Sequence, residues 1–156
     1  MLEKLLAGGV VGGGGAGFPL WKKLSVPART LLINGAECEP LLRSDQFIML
    51  HEPDALVEAA DALARFVGAS ECVICLKDHY VKQYEELTRA IERRGVKVRL
   101  HGLPTVYPIG DEQAIVREAT GRIVPPLGLP GQVGCVVVSV STAVNAYYAL
   151  RGMPVT

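Results

Sequence analysis

The sequence predicts an α/β fold, in which a mainly parallel sheet is flanked by helices. Short runs of β-branched and aliphatic residues alternate along the chain with stretches of helical periodicity. Glycine follows several of the helical stretches, where it ends a helix readily. Strands that alternate with helices favour a parallel sheet covered by helices.

The predicted elements follow one another in order after residue 29. Four apolar runs predict strands over residues 30–33, 72–76, 96–100 and 134–140. Amphipathic patterns predict helices over residues 53–67, 81–94 and 111–120. Ser141 is expected to cap a last helix that runs to Leu150. The final residues, 152–156, are typical of a further strand, so we expect the chain to be the N-terminal part of a longer protein.

Composition limits the possible functions. A chain of 156 residues, 49% apolar and 21% charged, favours one packed domain over residues 1–156. Sixteen basic residues balance sixteen acidic ones, which argues against nucleic-acid or polybasic membrane binding. No apolar run approaches the ~20 residues that span a bilayer. Four cysteines do not indicate a disulfide scaffold, so we expect a reducing, cytoplasmic setting.

A glycine-rich segment near the start is the sharpest local motif. Residues 12–17 contain five glycines, and Phe18 and Pro19 follow them. Glycine has no Cβ, so several backbone N–H groups can turn toward one anion, and a helix that starts near Pro19 adds its N-terminus. The segment lacks the lysine and Ser/Thr of a Walker loop and the preceding strand of a Rossmann fingerprint. The alternative interpretation is a flexible linker.

An acidic turn follows the first predicted strand. Its sequence is Asn-Gly-Ala-Glu-Cys-Glu-Pro over residues 34–40. Ligands of open α/β sheets bind beyond the carboxyl ends of strands, and carboxylates there can accept hydrogen bonds from ribityl or ribose hydroxyls. Taken alone, this segment is better interpreted as a solvated acidic loop.

These two motifs together resemble the flavin- and NADH-binding subunit of respiratory complex I and its relatives. Two more segments agree, Tyr-Pro-Ile-Gly-Asp-Glu-Gln over residues 107–113 and the apolar run that ends in Ser-Val-Ser-Thr at residues 139–142. The resemblance extends over nearly the whole chain and is strongest to the RnfC-type and PduS-type (cobalamin reductase) branches. It implies a Rossmann-like FMN/NADH-binding domain that accepts hydride from NADH.

The resemblance also implies which residues hold the nucleotides. Four glycines would surround the flavin and nicotinamide nucleotide, Phe18 would stack on a ring, and Lys23 would reach the phosphate or ribityl chain. The remaining positions would line the flavin and dinucleotide or, at the last helix, meet the FMN phosphate. The full set is Gly12, Gly14, Gly15, Gly17, Phe18, Lys23, Asn34, Glu37, Glu39, Tyr107, Gly110, Asp111, Glu112 and Thr142. No residue is assigned as catalytic, because hydride transfer to flavin needs no general base.

Five positions differ from the pattern of complex I relatives. Gly13 replaces an arginine, Leu20 a threonine, Ala36 an acid, Ser139 an asparagine and Ser141 an acid. Ser139 is expected to shorten or remove an amide contact to FMN. Gly13, Ala36 and Ser139 motivate a second hypothesis, in which the domain has lost flavin and serves as a nucleotide-binding or docking module of an electron-transfer assembly. An ordinary NAD-dependent dehydrogenase is a third hypothesis. It is weakened because no predicted strand precedes the glycine segment, as the Rossmann fingerprint requires.

The cysteines bear on how electrons leave the flavin. Cys72 and Cys75 form a C-x-x-C pair inside a predicted strand, where their side chains should point to opposite faces as ordinary core residues. The chain has no cysteine run of the kind that binds [4Fe-4S] clusters, and its histidines have no metal-ligand spacing. The resemblance therefore implies iron–sulfur centres in another region or partner. It further implies association with a bacterial microcompartment or with the cytoplasmic face of a membrane complex.

Overall fold

A four-stranded sheet lies at the centre of the computed structural model, which describes residues 1–12, 17–37, 42–106 and 108–153. The strand order is β3-β2-β1-β4, and each neighbouring pair is parallel. The strands are β1 (Thr30–Gly35), β2 (Glu71–Lys77), β3 (Arg99–Leu103) and β4 (Cys135–Ser139). This architecture confirms the predicted α/β fold.

Helices cover the two faces of the sheet unequally. They are α1 (Leu2–Ala7), α2 (Leu20–Lys23), α3 (Ser44–His51), α4 (Pro53–Val67), α5 (Val81–Arg94), α6 (Glu112–Thr120) and α7 (Val140–Leu150), with a 3₁₀ turn over Pro130–Val133. One face packs Leu31, Ile33 and Ile74 into a large core with α4, α5 and α7. The other face packs Leu32 and Val73 against α6 in a smaller core. In the described ranges no helix is both long enough and apolar enough to cross a bilayer.

The strand order creates a switch point between β1 and β4. From β1 the chain passes through α3 and α4 to β2 on one side, then returns past β3 and α6 to place β4 on the other side. Ligands of open α/β sheets bind at such a point, beyond the carboxyl ends of the diverging strands. Here those ends are Asn34 and Ser139, which lie opposite each other in the ladder.

Two predicted elements need correction. The third strand begins at Arg99 rather than residue 96, because its ladder with β2 pairs Val73 with Arg99. Pairing with a partner far along the chain sets this register, and local apolar alternation does not reveal it. The last helix begins at Val140, and Ser139 rather than Ser141 caps it through its side chain.

Helix prediction was right where the periodic pattern was long. The helices predicted over residues 53–67 and 81–94 have those bounds. The prediction missed α1 and α3, each of which buries one side chain fully, Leu5 and Met49. A six- or eight-residue helix offers too few turns for a clear 3.6-residue period.

The C-x-x-C pair belongs to the core, as predicted. Cys72 packs in the large core and Cys75 in the smaller one, so the two thiols lie on opposite faces of β2. Burial raises the pKa of each thiol to about 12. Both thiols therefore stay protonated near neutral pH, as buried structural cysteines do.

Candidate functional site

A cavity of about 340 Å³ opens at the switch point, beyond the carboxyl ends of β1 and β4. Its lining combines apolar walls with a few polar groups, as small-molecule sites usually do. The lining residues are Gly12, Phe18, Leu20, Lys23, Asn34, Gly110, Asp111, Glu112, Val137, Val138, Ser139 and Thr142.

Most of the predicted site residues that the structure describes meet around this cavity. They are Gly12, Phe18, Lys23, Asn34, Gly110, Asp111, Glu112 and Thr142. Gly17 and Glu37 are outside its lining, although Glu37 borders a neighbouring cavity. Gly14, Gly15, Glu39 and Tyr107 lie outside the described residues. The binding role of each residue remains a prediction.

Backbone hydrogen bonds close the base of the glycine segment beside the cavity. The Gly12 N–H donates to the Phe18 carbonyl (2.8 Å), and the Leu20 N–H donates to the Val10 carbonyl (3.1 Å). A Cβ on Gly12 would lie 3.3 Å from the Phe18 carbonyl oxygen, so glycine permits this close approach. The Phe18 ring is left 45% exposed at the cavity, where a ring of a ligand can stack on it.

Lys23 supplies the positive charge among the described lining residues. It extends from α2 toward β4, where its ammonium donates to the Val137 carbonyl (3.0 Å). The same ammonium forms an ion pair with Glu112, at the start of α6. About a quarter of the Lys23 side chain is exposed, so the charge is available to a ligand that competes with Glu112.

Asn34 joins the end of β1 to the loop before α6. Its side-chain amide donates to the Gly110 carbonyl (3.0 Å), and its side-chain oxygen accepts the Ala36 N–H (3.0 Å). Asp111 then caps α6, because its carboxylate accepts the N–H groups of Gln113 (2.9 Å) and Ala114 (3.3 Å). The bond from Asn34 to Gly110 holds the end of β1 at a fixed separation from the loop before α6.

Ser139 and Thr142 form the polar end of the cavity, at the N-terminus of α7. The Ser139 hydroxyl oxygen lies 2.7 Å from that of Thr142 and accepts the Thr142 N–H (3.3 Å). Ser139 thus already bonds the hydroxyl and the backbone N–H of Thr142, the residue that is predicted to meet the FMN phosphate. A phosphate at this end would take over the position of the Ser139 hydroxyl or add a further bond to it.

A pair of carboxylates lies behind this polar end. The Asp45 carboxylate, on α3, accepts the Ser141 N–H (3.2 Å) in the first turn of α7. One oxygen of Glu37 accepts the N–H and hydroxyl of Ser44, at the start of α3, while its other oxygen is buried without a partner among the described residues. Burial of the Asp45 carboxyl, and then the charge of Glu37, raises the pKa of Asp45 to about 6.

Sequence reasoning missed part of this site. Leu20, Val137 and Val138 line the apolar wall, yet none of them was among the predicted site residues, because apolar side chains in or beside a motif look like core positions. Asp45 is separated from Ser141 by 96 residues, and only the tertiary fold reveals the contact. Ser139 was singled out as a departure from the pattern of related proteins, and its position as a cap was not foreseen.

Comparison with known proteins agrees with this geometry. Residues 6–148 match the family described as the Nuo51 FMN-binding domain. The chain belongs to this family. The resemblance to the complex I flavoprotein subunit and its relatives is therefore confirmed.

Curated relatives in the Nuo51 FMN-binding family include cobalamin reductase PduS of Citrobacter freundii, which is 43% identical over 99% of this chain. One subunit of the proton-translocating ferredoxin:NAD(+) oxidoreductase complex of Clostridium ljungdahlii is 38% identical, also over 99% of this chain. The matched region is 34% of the length of each relative. The chain thus spans about a third of these proteins.

A solved structure has the same fold as this Nuo51-type domain. The NAD+-reducing [NiFe]-hydrogenase in the H2-reduced state superposes with a TM-score of 0.85 and 26% sequence identity. The match covers 96% of this chain and 30% of the hydrogenase chain. Family membership and these relatives together support a flavin-binding electron-transfer domain of an oxidoreductase.

Proposed function

We propose that the domain binds FMN in the cavity at the β1/β4 switch point, accepts hydride there from NADH, and passes the electrons to iron–sulfur centres outside this chain. The observation that carries the proposal is the cavity itself. It lies at the ligand-binding position of an open α/β sheet and is lined by residues from all four motifs that resemble complex I relatives.

The polarity of the cavity fits a flavin mononucleotide. Phe18, Leu20, Val137 and Val138 offer apolar surface to a planar ring system. Ser139 and Thr142, at the positive end of the α7 dipole, offer hydroxyl and N–H groups to a single phosphate. FMN has one phosphate and FAD carries a second phosphate and an adenosine, so we expect FMN to bind more tightly.

Each remaining polar residue has a binding or positioning role in this proposal. Lys23 neutralises phosphate charge or donates to a ribityl hydroxyl oxygen, and Asn34 holds the Gly110 loop against the cavity. Asp111 fixes the start of α6, which presents Glu112 to the cavity. FMN, when bound, supplies the hydride-accepting chemistry, and the protein supplies orientation and electrostatics.

The path of the electrons sets the expected partners. Among the described residues, no group of three or more His, Cys, Asp or Glu side chains could hold a metal ion. We therefore place the iron–sulfur centres in another region of the protein or in a partner. The setting we propose is cytoplasmic, inside a microcompartment or on the cytoplasmic face of a membrane complex.

A second candidate function is a docking module that no longer binds flavin. Two observations favour it. Ser139 already bonds the hydroxyl and N–H of Thr142, and Glu112 already pairs with Lys23. If these internal bonds are stronger than those that FMN offers, the cavity stays closed to the cofactor.

Flavin titration separates the two candidates. The chain is titrated with FMN and FAD, and flavin fluorescence reports binding. We expect tighter binding of FMN. The Lys23→Gln substitution should weaken FMN binding by about tenfold or more, because a charge-assisted bond to the ligand is lost. Lys4→Gln is the matched control, since the exposed Lys4 ammonium donates to the Leu150 carbonyl and the residue is outside the cavity lining.

Anaerobic addition of NADH to the FMN-loaded chain then tests hydride acceptance. We expect the visible absorbance of the flavin to disappear. Equal affinity for FMN and FAD, or equal effects of the two lysine substitutions, contradicts the assigned cavity. A folded chain that binds neither flavin favours the docking module.

A further inference from the structure

The polar end of the cavity is connected to a carboxylate that takes no part in lining it. The Ser139 hydroxyl oxygen lies 3.3 Å from that of Ser141, and the Ser141 N–H donates to Asp45 (3.2 Å). A phosphate at Ser139 and Thr142 and the carboxylate of Asp45 therefore share one helix N-terminus. Two anions at the first turn of one helix repel each other, although each alone is stabilised by the helix dipole.

We propose that Asp45 is a specificity-determining residue of the flavin site: a phosphate ester binds at the N-terminus of α7 together with uptake of a proton by Asp45. The inference rests on the proposed FMN site. Protonation removes the negative charge but leaves a carbonyl oxygen that still accepts the Ser141 N–H. The hydrogen bond that positions α3 on α7 is thus retained in both protonation states.

The surroundings of Asp45 favour such proton uptake. The pKa of its carboxyl is raised to about 6, first by burial and then by Glu37, while the Ser141 bonds lower it. A phosphate brought to the same helix end adds negative charge and raises the pKa of Asp45 further, toward neutral pH. By linkage, the phosphate ester then binds more tightly as the pH falls toward 6.

Other charged and titratable groups lie around α3 and Glu37. Glu52, at the start of α4, accepts the hydroxyl of Tyr148 from α7, and the His51 ring packs on Phe47. The Lys77 ammonium donates to the backbone carbonyl of Glu37 (2.8 Å). The charged or titratable residues that line the neighbouring cavity with Glu37 are Arg43, Lys77, His79, Tyr80 and Lys82.

The test compares two ligands that differ only by the phosphate. The chain and its Asp45→Asn variant are titrated with FMN and with riboflavin between pH 5.5 and 7.5. The variant keeps the acceptor for Ser141 and carries no charge. At pH 7.5 we expect FMN to bind about tenfold more tightly to the variant, which corresponds to about one pKa unit. Riboflavin should bind both proteins equally.

The pH dependence provides an independent measurement. The phosphate of FMN has its own ionisation near pH 6, which affects binding to both proteins alike. The ratio of the FMN affinity of the original chain to that of Asp45→Asn should therefore report Asp45 alone, and it should rise as the pH falls. Calorimetry in two buffers of different ionisation enthalpy should show greater proton uptake by the original chain. Glu85→Gln, which removes an exposed carboxylate paired with Arg89 on α5, is the matched control and should change neither quantity.

The outcomes separate this inference from the proposed function. If FMN binds with the same affinity and pH dependence in both proteins, the role of Asp45 is wrong and the FMN site stands. An equal effect on FMN and riboflavin also contradicts the inference, because the phosphate would then be irrelevant. If neither flavin binds to the folded chain, both the proposed function and this inference are wrong.

Discussion

Single side chains at the edge of the sheet have structural roles that their sequence motifs do not reveal. Ser139, where complex I relatives carry asparagine, caps α7 and bonds both polar groups of Thr142. Ala36, where those relatives carry an acid, is buried in the smaller core. Both departures could be recognised from the sequence. The sequence could not show that Ser139 bonds to Thr142, the residue predicted to bind the phosphate.

Asp45 makes the fold itself sensitive to pH. Its pKa rises from 3.8 to about 6 in the folded chain. Between these two pH values the folded state holds a proton on Asp45 that the unfolded state has released. Stability therefore falls as the pH rises from about 4 through 6. We expect Asp45→Asn to be more stable than the original chain at pH 7 by about 1–3 kcal/mol, measured by urea unfolding.

A second aspartate gives the opposite sign and serves as the control for this measurement. Hydrogen bonds from Arg93 lower the pKa of Asp54, so its contribution to stability is lost as the pH falls. Asp54→Asn should destabilise the fold at pH 7 and make it less sensitive to acid. If Asp45→Asn is less stable than the original chain at pH 7, burial does not disfavour the charged carboxylate of Asp45, and the expected fall of stability with rising pH is wrong.

At the scale of elements, local patterns predicted helices better than they predicted register. α4 and α5 bury one continuous face, and their apolar periodicity gave their bounds. The position of β3 depends on its pairing with β2, and α3 depends on its contacts with β1 and α7. Such long-range contacts leave no local signal, which is why β3 was misplaced and α3 was missed.

Gly35 is where α3 depends most directly on β1. A Cβ at Gly35 would lie 2.9 Å from both the Cys75 carbonyl oxygen and the Met49 sulfur, closer than real Cβ contacts allow. We expect Gly35→Ala to destabilise the chain by about 1–3 kcal/mol, as overpacking of a core usually does. Urea unfolding measures the change.

Gly131 provides a matched control for that substitution. A Cβ at Gly131 meets no atom within 4 Å, so Gly131→Ala should change stability by only about 0.5 kcal/mol or less. Equal effects of the two substitutions would show that α3 does not pack against β1 as closely as described.

At the scale of the whole molecule, the strand order explains why distant motifs act together. Residues from the glycine segment, the end of β1, the loop before α6 and the end of β4 meet at one edge because the chain reverses direction across the sheet there. The motifs and the fold class were predictable from the sequence. The apolar wall of Leu20, Val137 and Val138 was not, because these residues look like any other core positions.

The central claim is that FMN binds in the cavity between the ends of β1 and β4. Backbone amide chemical shifts, recorded by NMR while FMN is added to isotopically labelled chain, test it most directly. We predict that the largest changes occur at the amides of Gly12, Asn34, Gly110 and Ser139, with little change around Arg65 and Arg94 on the α4/α5 surface. Changes concentrated on that surface, or in the neighbouring cavity around Lys77 and Lys82, would contradict the claim.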